Sequence, residues 1–182
     1  MNRFIKDEDV RLLASIAGTL QTEYAQDDLR WAGSPFAWIV TKPSRTIGAI
    51  GEKLVSGWCA AKGLDVVRAP DPDCDRIING KRVEIKFSRL WKSDLYKFQQ
   101  IRDQEYDYVI CLGISPFDAH CWVLPKKIIM RHWGDPNLLP HQHGGQAGTD
   151  TVWLSVRPDS VQSWLKPYGG KLSQAFKLIK EW

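Results

Sequence analysis

Pro72-Asp73-Cys74-Asp75-Arg76-Ile77-Ile78-Asn79-Gly80-Lys81-Arg82-Val83-Glu84-Ile85-Lys86 is the stretch on which the reading of this chain turns. Asn79-Gly80 is a two-residue turn signal of the kind that needs positive φ at both central positions, and strand-forming residues lie on each side of it. A hairpin closed there pairs Ile78 with Lys81, Ile77 with Arg82, Arg76 with Val83 and Asp75 with Glu84. Directly paired side chains stand about 5 Å apart at Cβ. Strand residues alternate sides, so Lys86 shares the face of Glu84, and continuing the register sets Asp73 opposite Lys86.

Two carboxylates at that spacing repel, so they stand in water or share a cation. An oxygen donor set without His or Cys suits a hard ion, above all Mg²⁺, which keeps several waters and takes few protein carboxylates. Val83 and Ile85 flank Glu84, and Ile77 and Ile78 stand on the other strand. This is the pattern of a hairpin inside a core, with charge interrupting one side of it.

Residues 46–63 read as a helix begun by Ser44 or Thr46 and closed by Gly63. Ile47, Ile50, Leu54, Trp58 and Ala61 form its apolar stripe, and Glu52 falls on a different face beside Gly48, Val55 and Cys59. A carboxylate on a surface of small residues that presses against a sheet requires a partner.

In that order and context these residues resemble the PD-(D/E)xK nuclease superfamily, the restriction-endonuclease-like fold, over residues 46–125. The resemblance implies an α/β fold, a mixed central β-sheet flanked by helices. It also implies that Asp75 and Glu84 are metal-binding acids, Lys86 the catalytic lysine, and Glu52 an auxiliary helix acid serving a second metal position. The backbone carbonyl of Ile85 joins Asp75 and Glu84 as a ligand. Mg²⁺ is the expected cofactor, with Mn²⁺ able to substitute. Asp73 competes with Asp75 for the first acid, because Pro72-Asp73 spells the superfamily's Pro-Asp; the hairpin register favours Asp75. The expected activity is hydrolysis of DNA phosphodiesters to leave 5′-phosphates. A type II restriction endonuclease is the preferred assignment, with a repair, recombination or mobile-element nuclease, or a non-catalytic DNA-binding module, as alternatives. The expected partner is double-stranded DNA. Symmetric duplex cleavage needs two active sites, which leads to the expectation of a homodimer.

Composition agrees without adding detail. At 182 residues with 43% hydrophobic content the chain suits a single domain with a sizeable core. We expect one nuclease domain over 1–182: a catalytic core at 46–125, an N-terminal helix and aromatic segment at 1–45, and helices with a recognition-type loop at 126–182. A net charge of +4 permits a nucleic-acid partner. Charges at Arg3, Lys6, Asp7, Glu8, Asp9 and Arg11 interrupt the first twenty residues, so neither a signal peptide nor a membrane span is expected there. Cys59, Cys74, Cys111 and Cys121 form no Cys-x-x-Cys pair. Free thiols in a reducing cytoplasm are the simplest account.

Periodicity places a helix over 6–23 with Val10, Leu13, Ile16, Ala17 and Leu20 as its stripe, then an irregular aromatic segment over 28–45. Strands are expected at 64–68, 108–114 and 119–124, and helices at 93–102, 125–132, 158–165 and 171–181. Gln99 and Gln100 would lie on the helix that follows the hairpin. For DNA contact, Lys42, Arg45, Arg82, Arg89, Lys92 and Lys97 bracket the site in sequence and are candidates for phosphates. The long stretch 134–150 carries Asn137, His141, Gln142, His143, Gly144, Gly145 and Gln146, groups able to read base edges.

Overall fold

The computed structural model describes residues 7–144 and 150–182. Lys6, at the expected start of the first helix, and Gly145 and Gln146 of the long loop lie outside the described residues. A six-stranded mixed sheet organises the chain, in the order β1-β2-β3-β5-β6-β8. Its strands are β1 (Val66–Arg68), β2 (Arg76–Ile78), β3 (Lys81–Arg89), β5 (Tyr108–Ile114), β6 (Ala119–Pro125) and β8 (Gly169–Lys171). β3 and β5 run parallel, and the other neighbouring pairs are antiparallel. Between them in sequence, β4 (Tyr96–Ile101) leaves the main sheet and pairs with β7 (Val152–Val156) as a separate two-stranded ribbon. The expected mixed sheet flanked by helices is the fold observed.

Alternation along β3 divides the two faces. Val83 and Ile85 join Ile110, Leu112, Cys121 and Val123 in a core covered by α3 (Ser44–Ala61) and α5 (Leu172–Lys180), through Val55, Cys59, Ala175 and Ile179. The opposite face of the sheet, with Val109, Cys111, Trp122 and Leu124, receives the ribbon through Tyr96, Phe98, Ile101, Val152 and Leu154. Burying a large aromatic or aliphatic side chain is worth about 1.5–3 kcal/mol, so this second interface anchors the ribbon.

α3 meets the sheet closely because of one glycine. A Cβ built on Gly51 would lie 2.2 Å from Cβ of Phe87 on β3. Only hydrogen fits there, and the helix lies against the strand at the level of the site. The deepest face of α3 is therefore Gly51, Val55 and Cys59, beside the stripe read from periodicity. The helix begins at Ser44 after Pro43, with no side-chain cap, where Ser44 or Thr46 was expected to supply one.

Two expected helices are absent. Residues 96–101 form β4, because Tyr96 and Phe98 are buried while Lys97 and Gln99 point away, a period of two that spacing of three and four residues concealed. The 158–165 segment is a series of turns, closed by Ser160 N–H to the Arg157 carbonyl and Leu165 N–H to the Gln162 carbonyl, and it leads into a 3-10 turn at Lys166–Tyr168. α1 (Glu8–Arg30) forms, but Val10, Leu13, Ile16 and Leu20 remain exposed. Its C-terminal end is tied to the body by Arg30 Nη2 on Asp94 Oδ1 at 2.7 Å. α2 (Ala37–Val40) and the buried Trp31 and Ile39 give the aromatic segment a small core of its own. α4 (Lys126–Arg131) follows β6 directly. Among the described residues no helix is long and apolar enough to cross a membrane.

Candidate active site

The turn that decides the site is formed as the sequence predicts. Asn79 and Gly80 have φ of 48° and 77°, and the β2–β3 register pairs Arg76 with Val83, Ile77 with Arg82 and Ile78 with Lys81. Asn79 also fixes the turn to the chain before β1, donating its N–H to the Asp65 carbonyl at 2.9 Å and accepting from Asp65 N–H at 3.0 Å.

β2 pairs with β3 only as far as Arg76 and Val83, so the rest of β3 has an open edge on that side. The expected Asp75–Glu84 cross-strand pair does not form: Asp75, just outside β2, donates its N–H to the Val83 carbonyl at 2.9 Å, one residue out of register, and its carboxylate Oδ2 accepts the Ile85 N–H at 2.7 Å. The N–H and C=O of one strand residue leave on the same side, so the Ile85 carbonyl shares this edge with Asp75. The Asp75 and Glu84 carboxyl groups stand within hydrogen-bonding reach of one another. Asp73 donates its N–H to Asp71 Oδ1 at 3.1 Å in a local turn and does not line the cleft that holds Asp75. β2 ends before Asp73 could pair opposite Lys86, so the extended register that would place it there does not form.

Glu84 is 8% exposed. Lys86, two residues on and on the same face, places Nζ 2.6 Å from Glu84 Oε1. Burial raises the Glu84 pKa, the neighbouring Asp75 raises it further, and Lys86 opposes both. Glu52 reaches the same region from α3. Its pKa is also raised, first by burial and then by Asp75, while Arg76 and Lys86 work against the shift. The Arg76 guanidinium lies 3.6 Å from Glu52 Oε2 and donates from Nε to Ser56 Oγ at 3.1 Å, which binds the hairpin to the helix.

These groups line one cleft of about 500 Å³. Asp75, Glu84, Ile85, Lys86 and Glu52 stand at one side; Ser44, Arg45 and Gly48 of the α3 first turns and Lys97, Gln99 and Gln100 of β4 complete the wall. The lining combines three carboxylates, Glu52, Asp75 and Glu84, with three cationic side chains, Arg45, Lys86 and Lys97. Among the described residues no three His, Cys, Asp or Glu side chains gather as a metal cluster. The oxygens that could hold a cation here are those of Asp75 and Glu84 with the Ile85 carbonyl.

No known family profile matches the sequence, and no curated protein does so. Among solved structures, that of a bacterial homing endonuclease, I-Ssp6803I, matches with a TM-score of 0.50 at 14% identity, covering 78% of this chain and 94% of that one. The two chains share a fold. At this identity the likeness concerns the architecture, and the chemistry has to be argued from the residues of this chain.

Among the described residues expected to touch DNA, Arg45 and Lys97 line the cleft, and Gln99 and Gln100 line it from β4 and not from a helix. Arg82 is directed away, its guanidinium held by Asp71 at 2.6 and 3.0 Å. Arg89 donates to the Val40 carbonyl and so anchors α2. Lys42, Lys92, Asn137 and His143 are exposed outside the cleft lining. His141 bonds through Nδ1 to Asp150. Gln142 is a structural strut: its Oε1 accepts Gln100 N–H at 3.0 Å and Thr151 hydroxyl at 3.1 Å, beside the irregularity between Phe98 and Ile101 in β4. The four cysteines are free, buried thiols.

Sequence reading had no means of finding that Trp91 and Trp153 stand over Lys97, or that Ser88 accepts the Lys97 N–H at 2.9 Å and so seats β4 beside β3. The alternating Val152, Leu154 and Val156 were the available signal for β7.

Proposed function

We propose that this chain is a Mg²⁺-dependent endodeoxyribonuclease acting on double-stranded DNA, with Mn²⁺ able to substitute. The observation that carries the reading is the convergence of Asp75, Glu84 and Lys86 at an open strand edge within one cleft. The donor set fits a hard divalent ion: two neighbouring carboxylates, one of them destabilised as an anion by burial and by the other, beside a backbone carbonyl. Asp75, Glu84 and the Ile85 carbonyl would hold it, with Glu52 at the margin for a second. When bound, Mg²⁺ supplies Lewis acidity at the phosphoryl group and charge compensation for the carboxylates.

The remaining chemistry falls to the chain. Lys86, fixed by Glu84, orients the attacking water and offsets charge that develops on the phosphate. Glu52 accepts the water proton as the new phosphorus–oxygen bond forms and the bond to the 3′-oxygen breaks, and the departing 3′-oxygen takes a proton from solvent, leaving a 3′-hydroxyl and a 5′-phosphate. Arg45 and Lys97 provide positive charge on the other wall.

Sequence-specific restriction, by a homodimer that brings two such sites to one duplex, is the preferred biological reading. A mobile-element nuclease is the second, and the shared fold with a homing endonuclease is the observation that favours it. Incubation with plasmid and phage DNA in Mg²⁺ or chelator tests the reaction, and sequencing of the fragment ends separates frequent short sites from a single long one. Binding without cleavage in either Mg²⁺ or Mn²⁺ would leave a DNA-binding module instead. Sedimentation of the free and DNA-bound protein tests the homodimer.

A further inference from the structure

We propose that the outward face of the β4–β7 ribbon is a DNA-docking ledge on which Lys97, clamped between two indoles, holds a backbone phosphate beside the one to be cut. This rests on the nuclease reading and extends it to a part of the chain outside the hairpin. The ribbon buries Tyr96, Phe98, Val152 and Leu154 against the main sheet, so strand alternation turns Lys97, Gln99, Trp153 and Ser155 outward. Lys97 pairs with Ser155 across the ribbon, which makes Trp153 its diagonal neighbour on the same face.

The Lys97 ammonium lies 4.8 Å from the Trp91 ring centre and 5.1 Å from that of Trp153. Both indoles attract the cation and restrict a side chain that is otherwise costly to order. Among the described residues no carboxylate forms an ion pair with Lys97, although Asp75, Glu84 and Glu52 lie in the same cleft. Its charge is thus held in place but not neutralised. Lysine makes a point-charge contact to phosphate through any of its three donors, so it needs position and not orientation. Because Lys97 and the Asp75–Glu84–Lys86 group share one cleft, a strand with its scissile phosphate at Lys86 passes the ledge with a neighbouring phosphate.

The test is fluorescence anisotropy with a labelled mixed-sequence duplex in EDTA, repeated over a series of KCl concentrations. Lys97→Ala is expected to weaken binding roughly five- to tenfold and to reduce the slope of log K against log salt by about 0.9, the signature of one phosphate contact. Lys97→Arg restores the slope. Trp153→Leu is expected to weaken binding about two- to threefold with the slope unchanged, and the double variant should be no weaker than Lys97→Ala alone, because the indole acts through the lysine. Wild-type affinity and slope in Lys97→Ala, or no duplex binding by the wild-type protein, would overturn the proposal. A Trp153→Leu loss that adds fully to that of Lys97→Ala would overturn the clamp. Cleavage is read separately in Mg²⁺: Lys97-dependent binding without cleavage overturns the nuclease reading alone, and cleavage without Lys97 dependence overturns this one alone.

Discussion

The Asp75 carboxylate accepts the backbone N–H of Ile85 at 2.7 Å, across a strand edge that β2 has ceased to cover. One side chain thereby completes a ladder and faces a second carboxylate. Asp75→Ala should lose both functions: cleavage falls at least a hundredfold, and stability falls by about 1 kcal/mol from the lost hydrogen bond. Asp75→Asn keeps an acceptor for Ile85, so it should lose cleavage and retain most of the stability. Plasmid nicking and thermal unfolding of the two variants check the separation.

Lys86 is the counter-charge of Glu84 at 2.6 Å. Lys86→Ala is expected to reduce turnover by about 10²–10³-fold, the usual scale for a lost donor to charge that develops in the transition state. It should also lower Tm by a few degrees, since Glu84 is left buried beside Asp75 without a cation. Single-turnover kinetics with saturating enzyme separate this loss from any change in DNA affinity.

The raised pKa of Glu84, due to burial and then to Asp75, gives a pH prediction of definite sign. A carboxyl whose folded pKa lies above its unfolded value, here 4.5, binds more protons in the folded state. It subtracts stability as pH rises through that interval, and the cost is fully present above the folded pKa. Glu84→Gln should therefore be more stable than wild type at pH near 7, and the difference should shrink as pH falls toward the unfolded value. Mg²⁺ should raise the Tm of the wild-type protein in proportion to log concentration and leave that of Glu84→Gln less affected. Thermal scans across pH, with and without Mg²⁺, test both parts.

Gly51 sets the distance between α3 and β3. A methyl group there meets Phe87 at 2.2 Å, so Gly51→Ala should cost about 1–3 kcal/mol and displace Glu52 from the cleft wall. Gly57, six residues further along the same helix, has nothing within 4 Å of a built Cβ. Gly57→Ala should be neutral or stabilise the helix by up to about 1 kcal/mol. Urea denaturation of the two variants compares helix propensity against close approach within one element.

Asn79-Gly80 determined the turn and the register as far as Arg76 and Val83, and strand alternation set Lys86 on the face of Glu84. Asp75 reaches them from just beyond the ladder, through its bonds to Val83 and Ile85 and not as the expected cross-strand partner of Glu84. The helix bearing Glu52 was legible for a similar reason, through side chains three and four residues apart. Tertiary structure alone decided where β4 went. Its ribbon partner β7 follows more than fifty residues later, and local spacing of Leu95, Tyr96 and Phe98 suits a helix until Val152, Leu154 and Val156 are present to pair with them. It also decided which basic residues face the cleft: Arg82 and Arg89 bond to Asp71 and to the Val40 carbonyl, while Lys97 lies over indoles from two separate segments. Local geometry propagates along a hairpin or helix, whereas the choice among distant partners depends on which surfaces burial brings together, and that is a property of the folded chain.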